Sequence, residues 1–373
     1  MKVLHIISSS GMYGAEAVIL NLSRMLMEAQ HYSIVATFSN SSNPNLQLHE
    51  AASKEGLESH LIPCQGQMDR VAIAAIRELV VRTGADVVHA HGYKADIYVY
   101  LALRGSGVAL VSTCHTWYDT DWMVSLYGVA DRLVLRGFAR VVAVSDEVKQ
   151  RLLKAGVRND RIRMVRNGID LRPFDGATPS LRGGGSGGLI VGLVGRLAWE
   201  KGVDIFLLAA ARVLVEFPYA NFLVIGEGPD REKLERSIDE LGIRQSVTMA
   251  GRRDDMPSVY ASFDVIVSSS RQEGLPMAIL EGMASGRPLV ASAVGDVPTV
   301  VQDGQTGLLV PAEDVERLAA AIMELLRDPP KRARFGAAAK QLVEDQYSAK
   351  RMTADYLRVY VEAIAAVKQG RAT

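Results

Sequence analysis

Residues 268–288 read SSSRQEGLPMAILEGMASGRP, and the reading of this stretch decides the rest of the chain. It follows Val265-Ile266-Val267, whose β-branched content is that of a buried strand, so the spacing predicts a strand end, a loop and a helix. Pro276 suits the first position of a helix and Gly286 the position just past its end. The loop then delivers Glu273 to the helix mouth. Glu281 sits further along the helix, some 80° round the axis by the roughly 3.6-residue period, so the two carboxylates are expected to face one cleft. Pro276 has no N–H, but those of Met277 and Ala278 are unpaired in the first turn and, with the helix dipole, favour an anion such as a phosphate. Carboxylates beside a phosphate seat suit a ligand with both hydroxyls and phosphates, and a nucleotide sugar has both. The surroundings separate this pair from ordinary solvated glutamates: the loop is rich in Gly and Ser, and the helix around Glu281 is otherwise small or apolar.

Outward from this stretch the pattern is alternating strand and helix. Apolar runs fall at 2–7, 33–38, 60–63, 86–89, 110–114 and 141–144, and again at 189–194, 221–225, 247–250, 289–291 and 308–310, with helical patterns such as 72–82 between them. This alternation predicts two parallel, doubly wound sheets, which bind ligands beyond the carboxyl ends of their strands. Several of those ends carry chemistry. After the first strand comes Gly11-Met12-Tyr13-Gly14, a glycine loop that brings backbone N–H groups near a phosphate, without the full G-x-G-x-x-G dinucleotide spacing. His115 comes straight off a strand and is followed by Trp117 and Tyr118, suited to wall a sugar pocket. His89 and His91 invite a metal reading, set aside because no neighbouring carboxylate or Cys completes a ligand set. Arg196 and Lys201 open the second half's first helix, where a guanidinium and an ammonium offset the charge of a pyrophosphate.

The one low-complexity stretch, 178–188, reads as a flexible linker that follows a domain rotation without resisting it. It divides a first domain, 1–175, from a linker, 176–188, and a second domain, 189–349. The last helix, about 350–373, carries Met352, Tyr356, Val359, Tyr360 and Ala363 on one stripe and must pack on something. Arg132, Arg136 and Arg140 follow a near-helical spacing and are expected to form a basic stripe open to anionic headgroups.

The 373 residues carry 42 basic and 42 acidic side chains and 48% hydrophobic content. A chain of this length buries a large core, and its zero net charge offers no global field for nucleic acid. Two cysteines make no disulfide framework and fit a reducing cytosol. The opening apolar run is too short for a signal peptide, and no stretch is apolar for about 18 residues.

Taken together, Gly14-Ala15-Glu16, His115, Asn167-Gly168-Ile169-Asp170, Gly195-Arg196 with Lys201-Gly202, Gly226-Glu227-Gly228-Pro229, Glu273 with Glu281, and Thr306-Gly307-Leu308-Leu309-Val310-Pro311 resemble glycosyltransferase family four over nearly the whole chain. The resemblance implies an α/β chain of GT-B fold, two doubly wound Rossmann-like domains facing across a cleft, with a last helix that returns to the first domain. It also implies a retaining transfer from a nucleotide-sugar donor bound by the C-terminal domain to a glycan or lipid-linked acceptor bound by the N-terminal domain. Lipid-linked acceptors place such an enzyme in the cytoplasm or on the inner face of the cytoplasmic membrane.

Carried over by position, Arg196 and Lys201 hold the diphosphate, Glu281 the ribose hydroxyls, and Glu273 a sugar hydroxyl near the anomeric carbon. Gly274, Leu275 and Met277 belong to the same donor seat, the loop with Arg253 sits by the base, Gly14 lets the first loop approach the diphosphate, and His115 faces the transferred sugar. Glu273 and His115 are the expected catalytic pair. With cations to neutralise the departing diphosphate, neither a metal nor another cofactor is expected. The rival readings are a sugar-nucleotide epimerase of the same architecture and a non-catalytic sugar-nucleotide binder. A nicotinamide dehydrogenase lacks its fingerprint in both halves.

Overall fold

A computed structural model describes residues 1–371 apart from 10, 13, 41–43, 67, 116–130, 182–187 and 275–276. The chain divides into two compact units: Met1–Gly168 together with Ala349–Thr373, and Ile169–Ser348.

The first unit is built on β1 (Lys2–Ile7), β2 (Tyr32–Ser39), β3 (Glu58–Pro63), β4 (Val87–His91), β5 (Ala109–Cys114), β6 (Arg140–Ala143) and β7 (Ile162–Met164). They form one sheet in the order β3-β2-β1-β4-β5-β6-β7, parallel throughout. The near-continuous apolar character of β1, β4 and β5 is that of strands covered on both faces. The covering elements include α1 (Gly14–Glu28), α2 (Gln47–Lys54), α3 (Arg70–Thr83), α4 (Tyr93–Leu103) and α5 (Asp146–Lys154). The last helix of the chain, α13 (Ala349–Arg371), belongs to this unit and packs on α1 and β5. Its stripe of Met352, Tyr356, Val359, Tyr360 and Ala363 is buried, and Glu362 on its flank accepts from Arg140 at 2.9 Å and Arg163 at 2.7 Å.

The second unit repeats the design with β8 (Ile190–Val194), β9 (Asn221–Ile225), β10 (Val247–Gly251), β11 (Val265–Ser268), β12 (Leu289–Ser292) and β13 (Gly307–Val310). Their order is β10-β9-β8-β11-β12-β13. The intervening helices are α6 (Val203–Glu216), α7 (Arg231–Glu240), α8 (Met256–Ser262), α9 (Met277–Ala284), α10 (Val297–Val300), α11 (Val315–Arg327) and α12 (Pro329–Gln346). Strand order reverses between β8 and β11 in this sheet and between β1 and β4 in the other, and the crevice outside such a reversal is where doubly wound sheets take ligands.

Two expectations need correcting. The boundary between units falls at Gly168/Ile169, ahead of the Gly/Ser-rich run, because Ile169, Leu171, Phe174 and Leu181 pack into the second unit's apolar cluster. Ser180 is tied down as well, its N–H donating to the Ser262 hydroxyl at 3.0 Å. Residues 176–188 therefore do not join the two units, and 182–187 lie outside the described residues. Nor does Arg140 join Arg132 and Arg136 in one helical stripe: it lies on β6, held by Glu362, while Arg132 and Arg136 are exposed and the Arg136 guanidinium donates to the Ala155 carbonyl at 3.0 Å.

Candidate functional site

In the second unit the loops after β8 and β11 are pressed together at the carboxyl edge of the sheet. Lys201 closes a short 3-10 turn, Trp199–Lys201, that leads into α6. Its ammonium donates to the Glu273 carboxylate at 2.5 Å, and the Ser270 hydroxyl donates to the same oxygen at 2.7 Å. The Glu273 side chain is only 8% exposed, so an acid that reads as a loop charge is instead a largely buried carboxylate with an ammonium and a hydroxyl on one of its oxygens. Arg271 fastens the loop from the other side, with its guanidinium on Asp204 at 2.8 Å, on Glu313 at 2.8 Å and on the Trp199 carbonyl at 2.9 Å.

Two glycines make this closeness sterically feasible. Gly202, at φ +59°, presents its α-carbon to the Ser269 carbonyl, where a Cβ would stand 2.1 Å from the oxygen. Gly295, at φ +52°, backs onto the Glu273 carbonyl, where a Cβ would stand at 1.8 Å. Gly295→Ala is expected to destabilise the second unit by about 3 kcal/mol, combining left-handed strain with overpacking against immovable backbone. Denaturant unfolding measures this, and a parental midpoint would show that the Glu273 loop is free to move aside.

Glu281 lies on α9 and accepts from the Tyr260 hydroxyl at 2.9 Å. Burial pushes its carboxyl up to about 7, the Tyr260 donation offsetting part of the rise. The two carboxylates take their hydrogen bonds from different neighbours, Glu273 from Lys201 and Ser270 and Glu281 from Tyr260. Between pH 4.5 and 7 the unfolded chain has ionised Glu281 while the folded chain keeps its proton, so stability falls as pH rises through that window. Glu281→Gln should then unfold later than the parent at pH 8, by up to about 3 kcal/mol, with little difference at pH 4. A Gln variant less stable at pH 8 would contradict the assignment.

Arg196 is exposed and has no ion pair among the described residues, whereas Arg253 is held in a two-pronged pair with Asp255 at 2.8 Å. Gly274 is half-buried beside Glu273, Met277 is the first described residue of α9, and Leu275 and Pro276 lie outside the described residues. Gly286 follows α9 at φ +68°.

In the first unit Gly14 is the first residue of α1. His115, half-buried just beyond β5, meets His91 through its Nε2 at 3.1 Å, and burial pushes its imidazole down to about 4. Trp117 and Tyr118 lie outside the described residues. His5 on β1 completes a cluster with His89 and His91, their nearest ring nitrogens within 4.8 Å of one another. The metal reading of His89 and His91 thus has a third imidazole. Even so, both nitrogens of His89 are engaged, Nδ1 with the Tyr360 hydroxyl at 2.8 Å and Nε2 with Thr113 at 2.7 Å. A groove of about 640 Å³ lined by Arg104, Arg158 and Arg161 opens at the amino ends of β5 and β6, the wrong edge for ligands of such a sheet.

Three contributors escape sequence reading. Tyr260 stands 21 residues before Glu281 on a different helix, and His5 lies 86 residues from His91, so only the fold joins them. Ser270 is three residues before Glu273 and was legible as a polar neighbour with no stated role.

Comparison with known proteins agrees with this layout. The family Glycosyltransferase Family 4 matches residues 12–172, and Glycosyl transferases group 1 matches residues 185–342. Alpha-D-kanosaminyltransferase of Streptomyces kanamyceticus is 32% identical over 282 residues, 70% of this chain and 73% of its own length. Phosphatidyl-myo-inositol mannosyltransferase of Mycolicibacterium smegmatis is 28% identical over 357 residues, 93% of this chain and 89% of its own. Among solved structures, Anabaena HepE in complex with UDP and glucose superposes with a TM-score of 0.85 at 20% identity, covering 97% of this chain and 99% of that one. No described helix is long and apolar enough to cross a membrane. With both halves matched in order and the two-sheet architecture shared, the chain belongs to glycosyltransferase family 4 and has the GT-B fold.

Proposed function

We propose that this glycosyltransferase moves a hexose-type sugar from a nucleoside diphosphate sugar to a glycan or lipid-linked acceptor, with retention of configuration and without a metal or other cofactor. The observation that carries the reading is the Lys201–Glu273–Ser270 cluster at the strand-order reversal of the second sheet. An ammonium there neutralises the departing diphosphate together with Arg196, and the neighbouring carboxylate addresses a hydroxyl of the sugar being transferred. Glu281 accepts from the ribose and Arg253 lies toward the base. In the first unit His115, kept neutral by burial, offers a hydrogen bond to the transferred sugar. Uridine donors are the first to try, since HepE was solved with UDP and glucose. A lipid-linked acceptor would place the protein on the inner face of the cytoplasmic membrane, which sedimentation with anionic liposomes tests.

Glu273 is tied to the cation that is to receive the phosphate, so it sits on the leaving-group side of the donor. A covalent nucleophile must attack from the opposite face. The expected route is therefore front-face, with the departing phosphate helping to deprotonate the acceptor. Proton NMR of the product should show the donor's anomeric configuration, and mass spectrometry of enzyme trapped with donor should show no glycosyl adduct on Glu273. An inverted product or such an adduct would overturn this route. Transfer should also survive a chelator. The chain carries Asp119-Thr120-Asp121, outside the described residues, so loss of activity in EDTA would return a metal to the reaction.

A further inference from the structure

The histidines of the first unit form a directed chain. His5 Nδ1 lies 3.1 Å from His91 Nε2, and His91 Nδ1 lies 3.1 Å from His115 Nε2. Both His5 and His91 are buried. Burial pushes His5 down to about 3 and His91 well below its ordinary value. Three neutral imidazoles in a row each carry one donor and one acceptor, so fixing the proton on one ring fixes all three.

The far end selects the direction. His5 Nε2 is buried and has no hydrogen-bond partner among the described residues. If protons pointed inward, from His115 through His91 to His5, that atom would be an N–H buried without an acceptor. If they point outward it is a bare nitrogen, and an orphaned buried donor is the rarer of the two in folded proteins. His89 stays outside the chain, because both its nitrogens are taken by Tyr360 and Thr113.

We infer that His5 and His91 are positioning residues that hold His115 as its Nδ1–H tautomer, so that His115 reaches the sugar as a hydrogen-bond donor through Nδ1. The inference rests on the reading of His115 as the residue facing the transferred sugar. Nitrogen-15 NMR of the histidine-labelled full chain, with His115 assigned by comparison with His115→Ala, reads the tautomer directly. The expected spectrum has the His115 proton on Nδ1; a proton on Nε2 overturns the inference. His91→Phe should move the His115 population toward Nε2–H and lower kcat at least about tenfold, as a misplaced imidazole proton does in other enzymes. KM for the donor and affinity for uridine diphosphate should hold. His5→Phe, which frees His91 to reverse, should give a mixed tautomer and a smaller loss, and it serves should His91→Phe fail to fold. An unchanged tautomer in a folded variant counts against the relay. If His115→Ala transfers sugar at the parental rate, the underlying reading fails. If that variant is inactive while parental His115 carries its proton on Nε2, only the relay fails.

Discussion

Glu273→Gln is expected to lose about 10²- to 10³-fold in transfer rate, the range for removing one group that stabilises developing charge, while binding uridine diphosphate at least as tightly as the parent. The second half of this expectation comes from geometry. The Lys201 ammonium donates to Glu273 at 2.5 Å, so a diphosphate must compete with that carboxylate for the same cation. A neutral amide competes less, and its carbonyl still accepts from Ser270. Isothermal calorimetry and an activity assay on one preparation separate the two effects. A variant that keeps its rate, or one that loses both rate and nucleotide affinity, would show that Glu273 does something other than address the sugar.

Lys201→Ala is the converse case. It removes the cation from the diphosphate and should weaken nucleotide binding by roughly 2 to 5 kcal/mol, the range for truncating one partner of a buried charged pair. It also strands Glu273, at 8% exposure, with Ser270 as its one remaining side-chain donor among the described residues. Breaking a buried pair costs about 3–5 kcal/mol when the orphaned charge stays buried, so a fall in stability near neutral pH should accompany the lost affinity and shrink in the Lys201→Ala/Glu273→Gln double variant. Full nucleotide affinity in a folded Lys201→Ala protein would remove Lys201 from the diphosphate seat.

The fold was legible because its signals are local. Runs such as Val265-Ile266-Val267 are strands by composition, Gly286 ends α9 at φ +68°, and Ser145 caps α5 by accepting from the Val148 N–H. Observed strands exceed the expected ones mainly at their ends, as β4 does in running to His91 rather than His89. The residues at the heart of the candidate site were legible too, as types at loop positions, but their partners were not. Nothing in the spacing says that Glu273 is spoken for by Lys201, 72 positions away, or that Glu281 is buried against Tyr260. The misplaced boundary has a related cause: composition marks where a chain can be flexible, while apolar side chains such as Ile169 and Phe174 decide which core it joins.

The way the first unit is closed bears on how the protein is made. Residues 169–348 form a contiguous unit whose two ends are joined, Ile169 N–H donating to the Tyr347 carbonyl at 2.9 Å and Ile169 bridging Ser348. The first unit is finished only by α13, which brings Tyr356 to Thr113 and Tyr360 to His89. In chain order, then, the second unit is complete before the first, the reverse of the usual N-to-C order of domain completion. The second unit has every residue it needs without α13, while the first lacks the Tyr356 and Tyr360 hydroxyls for Thr113 and His89 until α13 has been added. A released chain ending at residue 348 should accordingly resist protease over 169–348 and yield over 1–168.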